Sequence, residues 1–514
     1  MKRLAAAYAL LVGAPVLTLV TVLRLGAPLP APAPVPPSGN LSLTHPRTSA
    51  DLIILVAQIA VIILASRAVG YLFGKLSQPQ VIGEMLAGIM LGPSLLGWLA
   101  PGVSAALFPA SSLSLLSSIS QLGLVIYMFL VGLELNAAEL RRYGKAAMLI
   151  SHVSIVVPFV LASMLSLYLY PHLAENGVSF MSFALFMGAA IAITAFPVLA
   201  RILTDQQLLT TSMGTVAITC AAVDDVTGWS ILAYIMALIR ASQSARPIWI
   251  TLAGLAVFLA IMISVFRRLF ARLERHYDRH GSLPDHWVAL IIVFALGAAL
   301  CTEALGLHLL FGAFVAGAIM PKDRRFVDYL MEKFETVAVL LLLPVFFAFT
   351  GLRTRIGLVS GGEMWFYCAL IVGVAILGKV GGSGFAARLG GMSWRDATAL
   401  GILMNTRGLM ELVILNIGLD IKVISPAVFS MMVIMALVTT FMTAPLLHSG
   451  SIPRGCGSGS QSRLCARDSV RAACRRFFLR GQQDHGHSRE SKLAAQLVDY
   501  VHLARVFPGL LAFE

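Results

Sequence analysis

Two adjacent carboxylates, Asp224 and Asp225, stand midway along the apolar stretch from Ala217 to Trp229. Neither lies near an end from which a side chain could reach the membrane surface, so both must face water or a partner. Neighbouring helical residues point about 100° apart, which gives the two acids different surroundings. Burial and mutual repulsion both penalise the ionised form. A site holding two such groups can therefore carry protons and exchange them for a hard cation, to which oxygen ligands are suited. Lys379, another charge placed deep in an apolar block, offers a partner. A purely structural buried pair is the competing reading.

Two further segments carry residues that interrupt helices. Ile193-Thr194-Ala195-Phe196-Pro197 places a proline inside an apolar block, removing a backbone donor and clashing with the carbonyl four residues earlier. Met404-Asn405-Thr406-Arg407-Gly408 breaks another block with polar, charged and glycine residues. Half-helix ends inside a membrane present dipole ends and free carbonyls to ions, and paired interruptions point to an inverted-repeat transporter. Thr194, Pro197, Asn405, Thr406 and Arg407 are thus expected where two broken helices cross. Arg407 and Glu411, four residues apart, can pair on one helix face in support of the break. Arg67, Glu84, Glu134 and Glu303 lie nearer to block ends, where pairing, snorkelling or a helix dipole gives each an ordinary structural role.

The chain has 514 residues, 58% hydrophobic and only 12% charged, with a mean hydropathy of +0.85. A soluble domain is about a quarter charged, so this composition describes an integral membrane protein. Thirteen candidate spans follow Asp51, at 51–74, 79–98, 112–135, 146–170, 178–202, 211–240, 247–266, 286–306, 308–320, 336–352, 364–386, 396–418 and 425–447. An all-α membrane fold of about 13 core helices results, with one more apolar helix within 1–26 as a signal anchor or signal peptide. A Pro-rich extracytoplasmic linker occupies 27–50. The transmembrane domain covers 51–447, and 448–514 is expected to be a disordered cytoplasmic tail. The net charge of +13 sits in short clusters between apolar blocks, such as Arg267, Arg268, Arg272, Arg275 and Arg279 in a polar loop. That pattern sets topology rather than nucleic-acid binding, and it places the C-terminus in the cytoplasm of a multi-pass inner-membrane protein. The six cysteines imply no disulfide framework.

Four stretches give a family resemblance: Gln78 to Gly88 with Leu91-Gly92-Pro93-Ser94, Phe129-Leu130-Val131-Gly132-Leu133-Glu134-Leu135, Thr194-Ala195-Phe196-Pro197-Val198-Leu199-Ala200-Arg201, and Asn405-Thr406-Arg407-Gly408-Leu409-Met410-Glu411-Leu412. Over about residues 51–447 the chain resembles the second cation:proton antiporter family. The resemblance implies a homodimer with an interface domain and a mobile core, working by elevator-like alternating access without a resident cofactor or enzymatic reaction. It implies that Asp225 binds the monovalent cation, Na+ or K+, and the proton. Asp224 would then be the partner acid whose presence is associated with electrogenic exchange, and Lys379 the lysine that pairs with it. A potassium channel or uniporter is one alternative, although no TVGYG-like filter is present. A sodium-coupled organic-anion symporter is the other.

Overall fold

The computed structural model describes residues 9–29, 49–76, 78–135, 144–206, 208, 211–243 and 248–449. The linker from 30 to 48 and the tail from 450 onward fall outside them. Among the described residues all regular structure is helical. In chain order the helices of eight residues or more are α1 (Ala14–Gly26), α2 (Ser49–Lys75), α3 (Gln80–Leu91), α4 (Ala110–Glu134), α5 (Gly144–Leu173), α6 (Phe180–Ala192), α7 (Phe196–Asp205), α8 (Ser212–Gln243), α9 (Ile248–Ile261) and α10 (Arg267–His280). They continue with α11 (Asp285–Ala304), α12 (Leu309–Ala318), α13 (Arg324–Val337), α14 (Leu343–Arg353), α15 (Gly362–Ile376), α16 (Gly382–Leu389), α17 (Trp394–Met404), α18 (Leu409–Asp420) and α19 (Pro426–Ser449).

Among the described residues eleven helices are long and apolar enough to cross a membrane, and the bent pair α17 and α18, at 42°, adds a twelfth. The ten-residue α12 completes the alternation of direction that the thirteen expected spans require. Two elements differ from the sequence expectation. The basic stretch after Phe266 is not a loop: it continues the preceding span through a π-helical turn, Met262–Phe266, as α10. Likewise α13 starts at Arg324, well before the apolar run that marked the tenth span; Glu335 lines a cavity, while Arg324, Arg325, Glu332 and Lys333 are exposed. The apolar signal misses both, since each helix is amphipathic and its buried face (Phe270 and Leu273; Phe326 and Leu330) is only one stripe wide.

The helices pack as two groups. α2, α3, α4, α11, α12 and α14 form one, while α5, α6, α8, α15, α16, α17 and α19 form the other around the broken helices. Within the second group α5, α6/α7 and α8 are followed in the opposite sense by α15/α16, α17/α18 and α19, which is the inverted repeat. Lipid tails are as apolar as leucine, so helices in a bilayer associate through close van der Waals packing and not through apolar burial. The first group shows the device used. A Cβ on Gly132 would lie 2.1 Å from the Phe314 carbonyl oxygen, and one on Gly317 2.0 Å from that of Phe129, so α4 and α12 touch backbone to backbone. Gly88 and Gly351 interlock α3 and α14 in the same way. Helix α1 packs on α5 and α6, with Gly26 against the Phe180 ring.

Candidate cation-binding site

The two helix breaks meet in the middle of the second group. After α6 ends at Ala192 the backbone becomes extended, and the Ala195 N–H donates to the Thr406 carbonyl at 3.1 Å, tying one break to the other. Pro197 occupies the first turn of α7, where its missing N–H costs nothing. Gly408 lets the second break approach the first, since a Cβ there would lie 2.6 Å from a methyl of Val198. Thr406 turns its hydroxyl back to the Leu403 carbonyl at 2.6 Å.

Arg407 closes the crossing from below. Its guanidinium donates to the carbonyls of Ala190 at 3.0 Å and Ile193 at 3.2 Å, and to that of Ile191. Those carbonyls are the unpaired, partially negative end of α6, so a buried cation there is well placed. The pairing expected with Glu411 is present but longer, at 3.8 Å from Nε, and both Glu411 oxygens lack hydrogen bonds.

Asp224 and Lys379 meet beside this crossing, both wholly buried and 3.0 Å apart. Lys379 sits in a π-helical turn, Leu377–Gly381, between α15 and α16; such turns recur at functional sites. Asp224 is saturated. Ser151 donates to its Oδ1 at 2.7 Å, while Ser154, Thr194 and Lys379 surround Oδ2 at 3.0, 2.9 and 3.0 Å. Lys379 also donates to Ser154 at 2.9 Å and Thr194 at 2.6 Å. Asp225, one residue on, is 1% exposed; neither carboxylate oxygen is met by a side-chain donor, and only the backbone N–H of Phe196, at the start of α7, faces it, outside full hydrogen-bond geometry. A buried carboxylate so poorly satisfied is tolerated only when it is protonated or meets a cation. The two acids of the sequence pair are thus chemically unlike: one is neutralised by a lysine, the other is free to exchange.

A cavity of about 570 Å³ lies between the two helix groups on the side where the arginine clusters gather. Its floor includes Pro197, Val198 and Leu409, the first residues beyond the two breaks, and Tyr127 lines it from α4. Its walls carry Arg67, Glu84, Glu134, Arg201 and Glu335. Arg67 and Glu84 pair at 3.6 Å. On the other side of the bundle the groups are joined. Arg353 at the end of α14 donates to Asn416 at 3.0 Å and Asp420 at 2.5 Å, and Asn416 donates to Thr350 at 2.8 Å.

Of the residues singled out in the sequence, the structure brings Asp224, Lys379 and Thr194 into one hydrogen-bonded cluster and sets Asn405, Thr406, Arg407 and Pro197 at the crossing. Arg67, Glu84 and Glu134 do more than anchor helix ends, since they line the cavity. Ser151 and Ser154 were not singled out, although their i,i+3 spacing on an apolar helix is a readable signal. Glu303 takes the ordinary role expected of it, accepting from the Leu309 N–H at 3.1 Å.

The sodium/hydrogen exchanger transmembrane family matches residues 59–448, which hold the whole site. The chain belongs to this family. Over 399 residues it is 46% identical to the Na(+)/H(+) antiporter NhaS4 of Synechocystis, covering 77% of this chain and 97% of that protein. It is 39% identical to cation/H(+) antiporter 17 of Arabidopsis thaliana and 34% identical to K(+)/H(+) antiporter 1 of Saccharomyces cerevisiae, spanning 48% and 47% of their lengths. The sodium proton antiporter MjNhaP1 of Methanocaldococcus jannaschii shares the fold, with a TM-score of 0.55 at 16% identity over 78% of this chain and 97% of that one. This exchanger-family chain is therefore a multi-pass membrane protein of the cation:proton antiporter kind, as its four motifs led one to expect.

Proposed function

We propose that the protein is a secondary antiporter that exchanges a monovalent cation, Na+ or K+, for protons by elevator-like alternating access, and is not an enzyme. The observation that carries this reading is the buried carboxylate of Asp225, which no side-chain donor meets, beside the saturated Asp224 and Lys379 pair. When Asp225 is protonated or holds a cation, the cluster has no uncompensated charge, and the second helix group can carry it across the bilayer at low cost. When Asp225 is ionised and empty-handed, the same crossing is expensive, so a free return without cargo is suppressed. Asp224 and Lys379 form the neutral companion pair, and with both charged throughout the exchange is one cation for one proton; only if Lys379 gave up its proton on cation binding would the loaded cluster carry the charge of Asp224 and the exchange be electrogenic.

The cavity floor at the two breaks and the Arg353 bridge on the far side support a state that opens to one compartment only. With the arginine-rich side cytoplasmic, that state faces inward, and the C-terminus lies in the cytoplasm of a plasma-membrane homodimer. The names of the similar antiporters leave both Na+ and K+ as substrates. No resident cofactor is needed, because the transported ions supply the chemistry.

The test uses protein reconstituted in vesicles with a pH-sensitive dye inside. Asp225→Asn should abolish proton flux in response to each alkali cation while the protein keeps its fold. Flux equal to wild type in that variant would remove Asp225 from the mechanism, and conductance far above a transporter's turnover would replace exchange by a channel.

A further inference from the structure

Four of the five arginines of helix α10 share one stripe, and nothing in the described structure neutralises them. Arg268, Arg272, Arg275 and Arg279 are spaced four, three and four apart, so at 3.6 residues per turn they fall within an arc of about 60° along a stripe about 16 Å long. All four are exposed. Among the described residues none has a carboxylate within ion-pairing distance: Glu274 and Asp278 lie off the stripe and pair with none of them. Like charges at i,i+3 and i,i+4 destabilise a helix. This helix nevertheless holds them on three successive turns, and its opposite face, Phe270 and Leu273, is buried in the bundle.

The depth of the stripe says what faces it. The run from Trp249 to His280 is one continuous helix, and only 11% of its most apolar window is buried, so most of it is left uncovered by the rest of the chain. The rings of Phe266 and Phe270 both pack against Phe294 at 4.7 Å. Phe294 lies about 13 Å along α11 from its first residue, Asp285. Helix α10 therefore does not project into solvent. It runs beside the first turns of a span, at the level where that span enters the bilayer, and turns its arginines away from the protein. Guanidinium forks bind phosphate oxygens bidentately, and basic residues at this depth meet anionic headgroups.

We propose that the α10 stripe is a binding surface for anionic phospholipid headgroups, holding the segment that joins the second helix group to the first against the bilayer surface. The interaction is independent of the cation site and of the exchange mechanism.

The experiment compares wild-type protein with the variant carrying R268Q, R272Q, R275Q and R279Q. Both are purified in a neutral detergent and offered phosphatidylglycerol, phosphatidylcholine or inorganic phosphate, with bound lipid counted by native mass spectrometry. The wild type should retain phosphatidylglycerol over phosphatidylcholine, and each lost arginine should weaken retention roughly fivefold. A variant with Lys at all four positions should keep part of the preference, which separates charge from damage to the fold. Equal retention by wild type and the Gln variant would overturn the proposal. So would displacement of phosphatidylglycerol by equimolar inorganic phosphate, which marks a soluble-anion site. A change in oligomer mass in the Gln variant with lipid retention unaltered would assign the stripe to contacts between copies instead.

Discussion

At the scale of single residues, the site works by giving two neighbouring acids unequal surroundings. Ser151, Ser154 and Thr194 spend their hydroxyls on Asp224, and Lys379 completes it. Asp225 receives none of this, although it is equally deep. Arg407 is the residue on which the crossing depends. Replacing it by Met would leave the carbonyls of Ala190, Ile191 and Ile193 and the acid of Glu411 buried without their cation. Removing one partner of a buried pair costs about 3–5 kcal/mol, so Arg407→Met should lower the thermal stability of the purified protein sharply, even where cation is saturating. Unchanged melting would mean that the helix end is satisfied otherwise. The sequence showed the arginine and its i,i+4 neighbour, because charges in apolar blocks stand out. It could not show the three carbonyls, which carry no side-chain signature and lie more than two hundred positions away in the chain. Ser151 and Ser154 were hidden for a different reason: serine is common in membrane helices, and only the fold reveals that these two face an acid.

At the scale of elements, the two helix groups are held together differently on the two sides of the bundle. On the basic side a cavity separates them; on the other, Arg353 of α14 grips Asn416 and Asp420 of α18. Asp420 is about half exposed, so its ion pair is worth no more than about 1 kcal/mol. A contact of that size can hold a state closed and still yield during turnover. Arg353→Gln should shift the balance toward opening on that side by roughly fivefold, measured as faster labelling of a cysteine placed at Ile417, which takes no part in the bridge, by a membrane-impermeant thiol reagent. Reversing the pair as R353D with D420R should restore slow labelling. Labelling no faster in Arg353→Gln would show that the bridge does not limit opening. A second device fixes the first group. Lys322 donates its amine to the carbonyls of Gly132, Leu133 and Gly317 at 3.0, 2.9 and 3.0 Å, where α4 and α12 end together. Burial pushes this lysine down to about 7 from its ordinary 10.5. Between those values the unfolded chain holds a proton that the folded chain has released, so stability should rise as pH climbs through that window. Lys322→Met should flatten that slope in a series of thermal melts from pH 7 to 10, and an identical slope would remove Lys322 as its source.

At the scale of the whole molecule, the fold class, the alternation of spans and the two breaks were readable, because hydropathy and misplaced charge are strong signals in a bilayer. The division into two groups was not readable from residue patterns, since glycine contacts such as Gly132 on Phe314 and Gly351 on Gly88 look like any glycine in an apolar run. Nor was the docking of α1, which lies far in sequence from what it touches. That last feature bears on how the protein is made. Helix α1 is complete at Gly26, whereas α5, on which it rests, begins at Gly144, about 120 residues later. At a synthesis rate of about 5–20 residues per second, the first helix must wait on the order of ten seconds before its partner exists. During that interval it must be shielded by lipid or by the insertion machinery, and the contact between Gly26 and Phe180 forms as a late event of assembly, after half a dozen spans have been threaded.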